Sequence, residues 1–475
     1  MNFTVYDLIL LGIFVVFTSI FLITRRKNLK REGLLFLYKT KLGIKIIDRI
    51  GNKYKKTLSV LSYVSIGLGF LLMFTMLYLF GKMVWTYIFD SAVVKLVKIP
   101  PITPLLPYLP QIFKLSYLPP FYFIYWIVII AIVAISHEFS HGIFAVHKKV
   151  KLKSTGFGFF PFFLPIFLAA FVEIDEKNME KKRIRSQMAI LSAGTFANVL
   201  VAILFFVILI LFFSFAYTPS GVVFDAYTYS AVGMATISSI NGVNVNNATY
   251  SEIATLSNET YLSEIEANNT KYLATESLIS QQTGKSGYLM LYEDAPAIRA
   301  NLSSTIIKVN GVNVRNVTAL GEELMKYSPG DTIIITGLVD DAYMDYMITL
   351  EKDPENNSLP YLGIGFLKST SSGVISGVVH TLSSFKNSNI YYTTKFEAAE
   401  FIYNLLWWLV MMSISVALMN MLPVGIFDGG RFFFLAMLGI TKDEKKSKKI
   451  FAAMTYLFLL LLAVMMIFWG ISFFR

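Results

Sequence analysis

The sequence predicts a polytopic α-helical membrane protein of about six transmembrane helices, carrying a re-entrant loop or hairpin and an α+β insert outside the membrane. Three observations predict it. Hydrophobic residues make up 55% of the 475-residue chain and charged residues only 15%, with a mean hydropathy of +0.59, whereas a soluble domain carries about 25% charge. Apolar runs long enough to cross a bilayer recur, with Lys and Arg gathered on one side of them, as the positive-inside rule requires. Between about 218 and 395 the apolar runs shorten and acids outnumber bases. The net charge of +11 belongs to the span ends, and no basic stretch is joined to a nucleic-acid motif, so no nucleic-acid partner is expected. The absence of cysteine excludes disulfides and thiolate metal ligands.

Residues 8–24 form the first span, preceded by Asp7 and followed by Arg25, Arg26, Lys27, Lys30 and Arg31. Positive charge after the apolar run rather than before it predicts an anchor with its N-terminus outside, not a cleaved leader. The basic loop 25–56 is then cytoplasmic, with Leu42, Ile44, Ile46, Ile47 and Ile50 suited to the membrane interface. Leu58–Phe80 crosses back. In 82–120 a cluster of prolines, Pro100 to Pro120, forbids a long straight helix and predicts an external loop.

Phe121–Val146 is the third span, ending at His147, Lys148, Lys149, Lys151 and Lys153 on the cytoplasmic side. The apolar stretch 156–172 is broken by Gly156, Gly158, Pro161 and Pro165. Irregular backbone at membrane depth is tolerated only against protein or a wet cavity, so this stretch predicts a re-entrant segment. The fourth span runs from Met188 to about Tyr217; its small residues, Gly194 among them, favour close packing, and Asn198 is its candidate for an interhelical hydrogen bond. In the polar insert, Asn-x-Ser/Thr sequons at Asn247, Asn258, Asn268, Asn301, Asn316 and Asn356 agree with an outside location. Ile237–Val245 recurs as Ile306–Val314, each with a central Asn-Gly, a hairpin signal; a helix over Leu320–Tyr327 and a strand over Thr332–Thr336 follow. Phe401–Met421 and Phe451–Phe473 are the fifth and sixth spans.

The chemistry concentrates in His137-Glu138-Phe139-Ser140-His141, inside the third span. On a helix the two imidazoles lie one turn apart on one face, where both can bind one metal, with Glu138 beside them. Ile127–Ser136 just before it has no charge, and ionisable groups in hydrocarbon mark function. The site lies about 11 residues, or roughly 16 Å of helix, from the basic end of the span, hence nearer the cytoplasmic face. A catalytic zinc needs three protein ligands and an open position. His147 has the spacing of a third ligand in one metalloprotease class, but that pattern needs glycine at 144, where this chain has Phe144. Asp428, followed by Gly429 and Gly430 beyond the span-breaking Pro423, is the better third ligand, since both spans end at the same cytoplasmic depth.

The pair His137–His141 and Asn420-Met-Leu-Pro423-Val-Gly-Ile-Phe-Asp428-Gly429 resembles the signatures of the site-2 protease family of intramembrane zinc metalloproteases, HExxH and N-x-x-P-x-x-x-x-D-G. The resemblance extends over about 121–430 and includes Gly194, Asn198, the re-entrant segment and an insert like the family's PDZ-like domains. It implies Zn2+ held by His137, His141 and Asp428, Glu138 as catalytic acid/base, and Asn420 as a stabiliser of the transition state. Expected substrates are single-span membrane proteins in the lipid bilayer, cleaved after a first extracytoplasmic cut. Pro161 and Pro165 belong to the segment expected to hold an unwound substrate by strand addition. The expected organisation is 1–120, a two-span N-terminal extension; 121–217, the first part of the catalytic membrane core; 218–395, the extracytoplasmic PDZ-like region, read as two copies; and 396–475, the second part of the core. Both termini and the insert are expected outside. A transporter using the same His, Glu and Asp, and a non-catalytic receptor of the same fold, are the competing readings; substrate identity and oligomeric state are not legible.

Overall fold

A computed structural model describes residues 3–32, 35–89, 106–115, 118–159, 168–246, 248–257, 262–282, 287–367 and 384–471. Pro161, Pro165, His380, Asn247, Asn258 and, of the 82–120 proline cluster, Pro100, Pro101 and Pro104 lie outside the described residues. The chain forms two units, 1–213 with 400–475, and 214–399.

Among the described residues, the first unit contains six helices long and apolar enough to cross a membrane. In chain order its longer helices are α1 (Phe3–Thr24), α2 (Ile44–Lys53), α3 (Lys55–Phe89), α4 (Phe123–His147), α5 (Ile184–Ala216), α6 (Ala399–Asn420), α7 (Asp428–Thr441) and α8 (Glu444–Ile471). The second span extends to Phe89 rather than ending at Phe80, because Gly81 and Lys82 continue a helical backbone. Aromatic side chains join α4 to α6: Phe121, Phe123, Tyr125, Trp126 and Ile129 pack with Trp408 and Leu409. A second cluster joins α5 to α7 through Met188, Ala189, Ala193, Met421 and Phe432.

Residues 29–40, within the stretch 25–56 expected as a loop, build half of a sheet. Strands β1 (Leu29–Glu32), β2 (Leu35–Thr40), β3 (Leu152–Phe159) and β4 (Leu168–Ile174) form one antiparallel sheet in that order. Lys39 stands opposite Gly156 and Thr40 opposite Thr155, while Thr155 stands opposite Val172 and Phe157 opposite Ala170. The charges are answered within it, since Lys39 Nζ lies 3.0 Å from Glu173 Oε2 and Ser154 Oγ donates to the same oxygen at 2.5 Å. Ile47 on α2 is fully buried because it packs on the metal-motif helix: a Cβ on Gly142 would meet Ile47 at 3.1 Å. Glycine there lets α2 and α4 approach closely.

Among the described residues, the second unit holds two six-stranded sheets and two short two-stranded pairs. The strands of the six-stranded sheets are β5 (Tyr217–Val223), β6 (Tyr229–Gly233), β7 (Ile237–Ile240), β8 (Val243–Asn244), β9 (Ser263–Ala267), β10 (Thr270–Ala274), β11 (Tyr288–Glu293), β12 (Thr305–Val309), β13 (Val312–Asn313), β14 (Thr332–Val339), β15 (Ala342–Thr349) and β16 (Ile390–Thr394). One sheet runs β6-β11-β10-β9-β7-β8; the other runs β15-β14-β12-β5-β16, with β13 on β12. Each encloses its own core, Ile240, Ile253, Ile265 and Leu289 in one and Ile306, Val309, Leu320, Ile333 and Ile348 in the other.

The sequence repeat is a structural repeat of hairpin, helix and hairpin. Asn241 and Asn310 both take positive φ, 50° and 45°, each followed by glycine at 79° and 81°. These are the left-handed conformations that a two-residue Asn-Gly hairpin turn needs. Each asparagine also ties its turn to the following hairpin: Oδ1 accepts from Glu264 N in one copy and Ile334 N in the other. The expected helix at 320–327 lies at Val317–Leu324, capped by Asn316 Oδ1 from Ala319 N at 2.8 Å.

Candidate metal centre

Three side chains from two distant segments converge on one point. His137 and His141 lie one turn apart on α4, and both are buried. Their Nε2 atoms are 3.0 Å apart, and each is 3.2 Å from Asp428 Oδ2. Four-coordinate zinc with bonds of about 2.0–2.1 Å sets neighbouring donors roughly 3.3 Å apart, so the triangle has the size of three ligands around one ion. His147 stays outside it, with Nε2 3.5 Å from Ser59 Oγ. Among the described residues, His137, His141 and Asp428 are the group of acids and histidines able to share a metal.

One face of α5 prepares both imidazoles. Ile190, Gly194 and Asn198 are spaced four residues apart and so lie on one side of the helix. His141 Nδ1 donates to the Ile190 carbonyl at 2.7 Å, which leaves Nε2 with its lone pair facing the site. Asn198 meets His137 Nδ1 at 3.1 Å. Between them, a Cβ on Gly194 would lie 2.6 Å from His137 Nε2 and closer still to His141 Nε2. Glycine keeps that space for the rings.

Asp428 opens α7 directly after the break that ends α6. The two glycines make this turn sterically open: a Cβ on Gly429 would meet the Leu422 carbonyl at 2.6 Å, and one on Gly430 would meet Gly425 Cα at 3.0 Å. Larger residues would push the start of α7, and Asp428 with it, off the histidines.

Glu138 faces a cavity of about 370 Å³ whose wall includes His137, Asn420, Phe427, Asp428 and Ala170. Aliphatic side chains, Ile129, Ile130, Val133 and Val416, line the rest. The Val172 backbone N–H donates to Glu138 Oε2 at 2.9 Å, so β4 orients this carboxylate. Motif spacing alone does not reveal Ile190 or Val172, because both act through backbone atoms.

A polytopic membrane protein with two buried histidines and a half-buried aspartate converging on one point, and a glutamate on the wall of the same cavity, has the equipment of a metal-dependent hydrolase set among apolar helices. The chain belongs to peptidase family M50, the metalloprotease family of the site-2 proteases, whose model matches residues 125–464. No curated protein matches the chain.

Proposed function

We propose that the chain is a zinc-dependent endopeptidase that cuts peptide bonds inside the transmembrane segments of single-span membrane proteins, within the lipid bilayer and after a first extracytoplasmic cut. The observation that carries this reading is the convergence of His137, His141 and Asp428 with Glu138 on the wall of the same cavity. The donor set, two neutral imidazole nitrogens and a carboxylate, suits zinc. Held there, the ion supplies Lewis acidity that polarises a peptide carbonyl and lowers the pKa of water to about 7. Glu138 takes the proton of the attacking water and returns it to the leaving amine. The Val172 N–H keeps that carboxylate aimed into the cavity. Asn420, on the same wall, donates its amide to the oxygen on which charge develops.

A helical substrate hides its scissile bond in its own hydrogen bonds, so it must unwind. The β3–β4 hairpin, re-entering the membrane, receives the unwound stretch as an added strand, with Pro161 and Pro165 in the sequence between its strands. Val172 turns its N–H away from β3, and by strand parity Ala170 does the same, which puts free edge groups beside the cavity that Ala170 lines. The 218–395 region acts as two PDZ-like copies that admit substrates already trimmed outside. Both termini and that region lie outside the membrane, with the metal site nearer the cytoplasmic face.

Purified protein tests the reading directly. Wild type should hold one zinc per chain and cleave a transmembrane test substrate, and His141→Ala should lose the metal. Glu138→Gln keeps an acceptor for the Val172 N–H but cannot carry the proton, so it should keep zinc and lose about 10²–10⁴-fold in rate. A Glu138→Gln protein that cleaves at the wild-type rate sinks the mechanism.

A further inference from the structure

Asp7 is a charge in an otherwise apolar helix, the one Asp, Glu, Lys or Arg of α1. Its side chain is buried, and a buried ionisable group among membrane helices needs partners or a task. Asp7 has three partners. Its carboxylate accepts from the backbone N–H of Phe123 at 2.7 Å, from that of Ile124 at 3.0 Å and from the Tyr108 hydroxyl at 2.5 Å.

Phe123 and Ile124 are the first residues of α4, the helix that carries His137, Glu138 and His141. The residue at its own N-cap, Tyr122, makes no side-chain cap. Helix starts leave four N–H groups without partners, and away from water such groups are costly. Asp7 supplies from another helix what α4 lacks, and its negative charge faces the positive end of the α4 dipole.

Helix α1 continues from this cap to the sheet. Phe14 packs on Phe123 and Trp126, with ring centroids 5.2 and 6.5 Å apart. Further along, Phe21 packs on Tyr38 of β2 and Phe159 of β3 at 5.1 and 5.9 Å. One helix therefore grips the start of α4 at one end and the sheet at the other. The far part of α4 and that sheet meet again in the Val172–Glu138 hydrogen bond, so a slide of α4 against the sheet would break that bond.

We propose that Asp7 is a positioning residue: it pins the start of α4 and, through α1, fixes the alignment of Glu138 with the edge strand β4. The kinetic part of this proposal rests on the peptidase reading above; the structural part does not. Hydrogen exchange on the full-length protein, read by mass spectrometry, should compare wild type with Asp7→Ala, Asp7→Asn and Tyr108→Phe.

In Asp7→Ala the amides of Phe123 and Ile124 should exchange about tenfold faster, as for a lost helix cap. The Val172 amide should also exchange faster, while amides within α6 stay unchanged. Asp7→Asn, which keeps one acceptor oxygen, should fall between, and Tyr108→Phe, which keeps both backbone bonds, should stay within about twofold. On a transmembrane test substrate, kcat should fall about tenfold with KM unchanged, the signature of misplaced reacting groups rather than lost substrate contact.

Faster exchange at Phe123 and Ile124 with Val172 unmoved would make Asp7 a local cap and overturn the proposal, as would no change at either place. If Asp7→Ala does not fold, Asp7→Asn decides on the same readouts. A wild type that cleaves nothing refutes the peptidase reading, and the exchange comparison still decides the alignment.

Discussion

Asn198 meets His137 through its amide, with Nδ2 3.1 Å from His137 Nδ1 and Oδ1 buried without a partner. Amide oxygen and nitrogen are interchangeable in shape. Turning the amide over gives the orphaned Oδ1 the proton of His137 Nδ1, and leaves Nε2 free to bind metal. That orientation satisfies both the acceptor and the ligand.

Asn198→Ala should therefore weaken metal binding about 10–100-fold, the usual effect of removing a residue that orients a ligand. Competition against a chelator of known affinity measures it. Wild-type affinity in the variant would mean that packing alone orients His137.

Gly194→Ala separates stability from metal binding. In a helix interior the change ordinarily stabilises by about 0.5–1 kcal/mol, but here the new methyl group enters the space of both imidazoles. The variant should lose metal, and in its metal-free form the crowding of the two rings should offset the helix gain. Full metal content by elemental analysis would contradict the geometry.

Asn310 should tolerate glycine and reject alanine. Its φ of 45° is unfavourable for alanine, and Asn310→Ala also loses the bond to Ile334 N. The combined cost should be about 1–3 kcal/mol. Asn310→Gly keeps the conformation and should cost less, and chemical denaturation followed by tyrosine fluorescence would compare them. The same ordering should hold at Asn241, whose Oδ1 accepts the matching bond from Glu264 N and whose Nδ2 also donates to the Leu256 carbonyl.

Alkaline stability should carry a signature of Tyr361. Its hydroxyl lies 2.8 Å from Thr228 Oγ1 and donates to Glu293 Oε2 at 2.9 Å. Burial, reinforced by the neighbouring carboxylate, pushes it up from 10.0 to about 12. The folded state thus holds this proton more tightly than the unfolded state. The stability it contributes is complete below pH 10 and lost as the pH rises towards about 12. Tyr361→Phe should melt with a shallower dependence on pH over that window; identical slopes would count against it.

The spans were legible because apolar runs and basic ends are local signals, and all six helices are present. His137, Glu138, His141 and Asp428 were legible because ionisable groups among apolar residues are costly and these follow a ligand spacing. The four-stranded sheet was not legible. Thr40 pairs with Thr155, 115 residues away, and the Lys39 charge that marks β2 as a loop is neutralised by Glu173 only after that pairing. Asn198 shows an intermediate case. Its spacing from Gly194 puts both on one face of a helix, but helix rotation, set by packing, decides that the face meets the histidines. Asp7 was legible as a charge at the border of a span, and its role as a cap for a different helix was not.

His141 and Asp428 are 287 positions apart, so the histidines are synthesised well before the carboxylate they share a site with. At about 5–20 residues per second, the two histidines wait roughly 15–60 s for the carboxylate that completes the set. Built this way, the enzyme proposed here is born inactive, with the order of synthesis doing the work of a removable inhibitory segment.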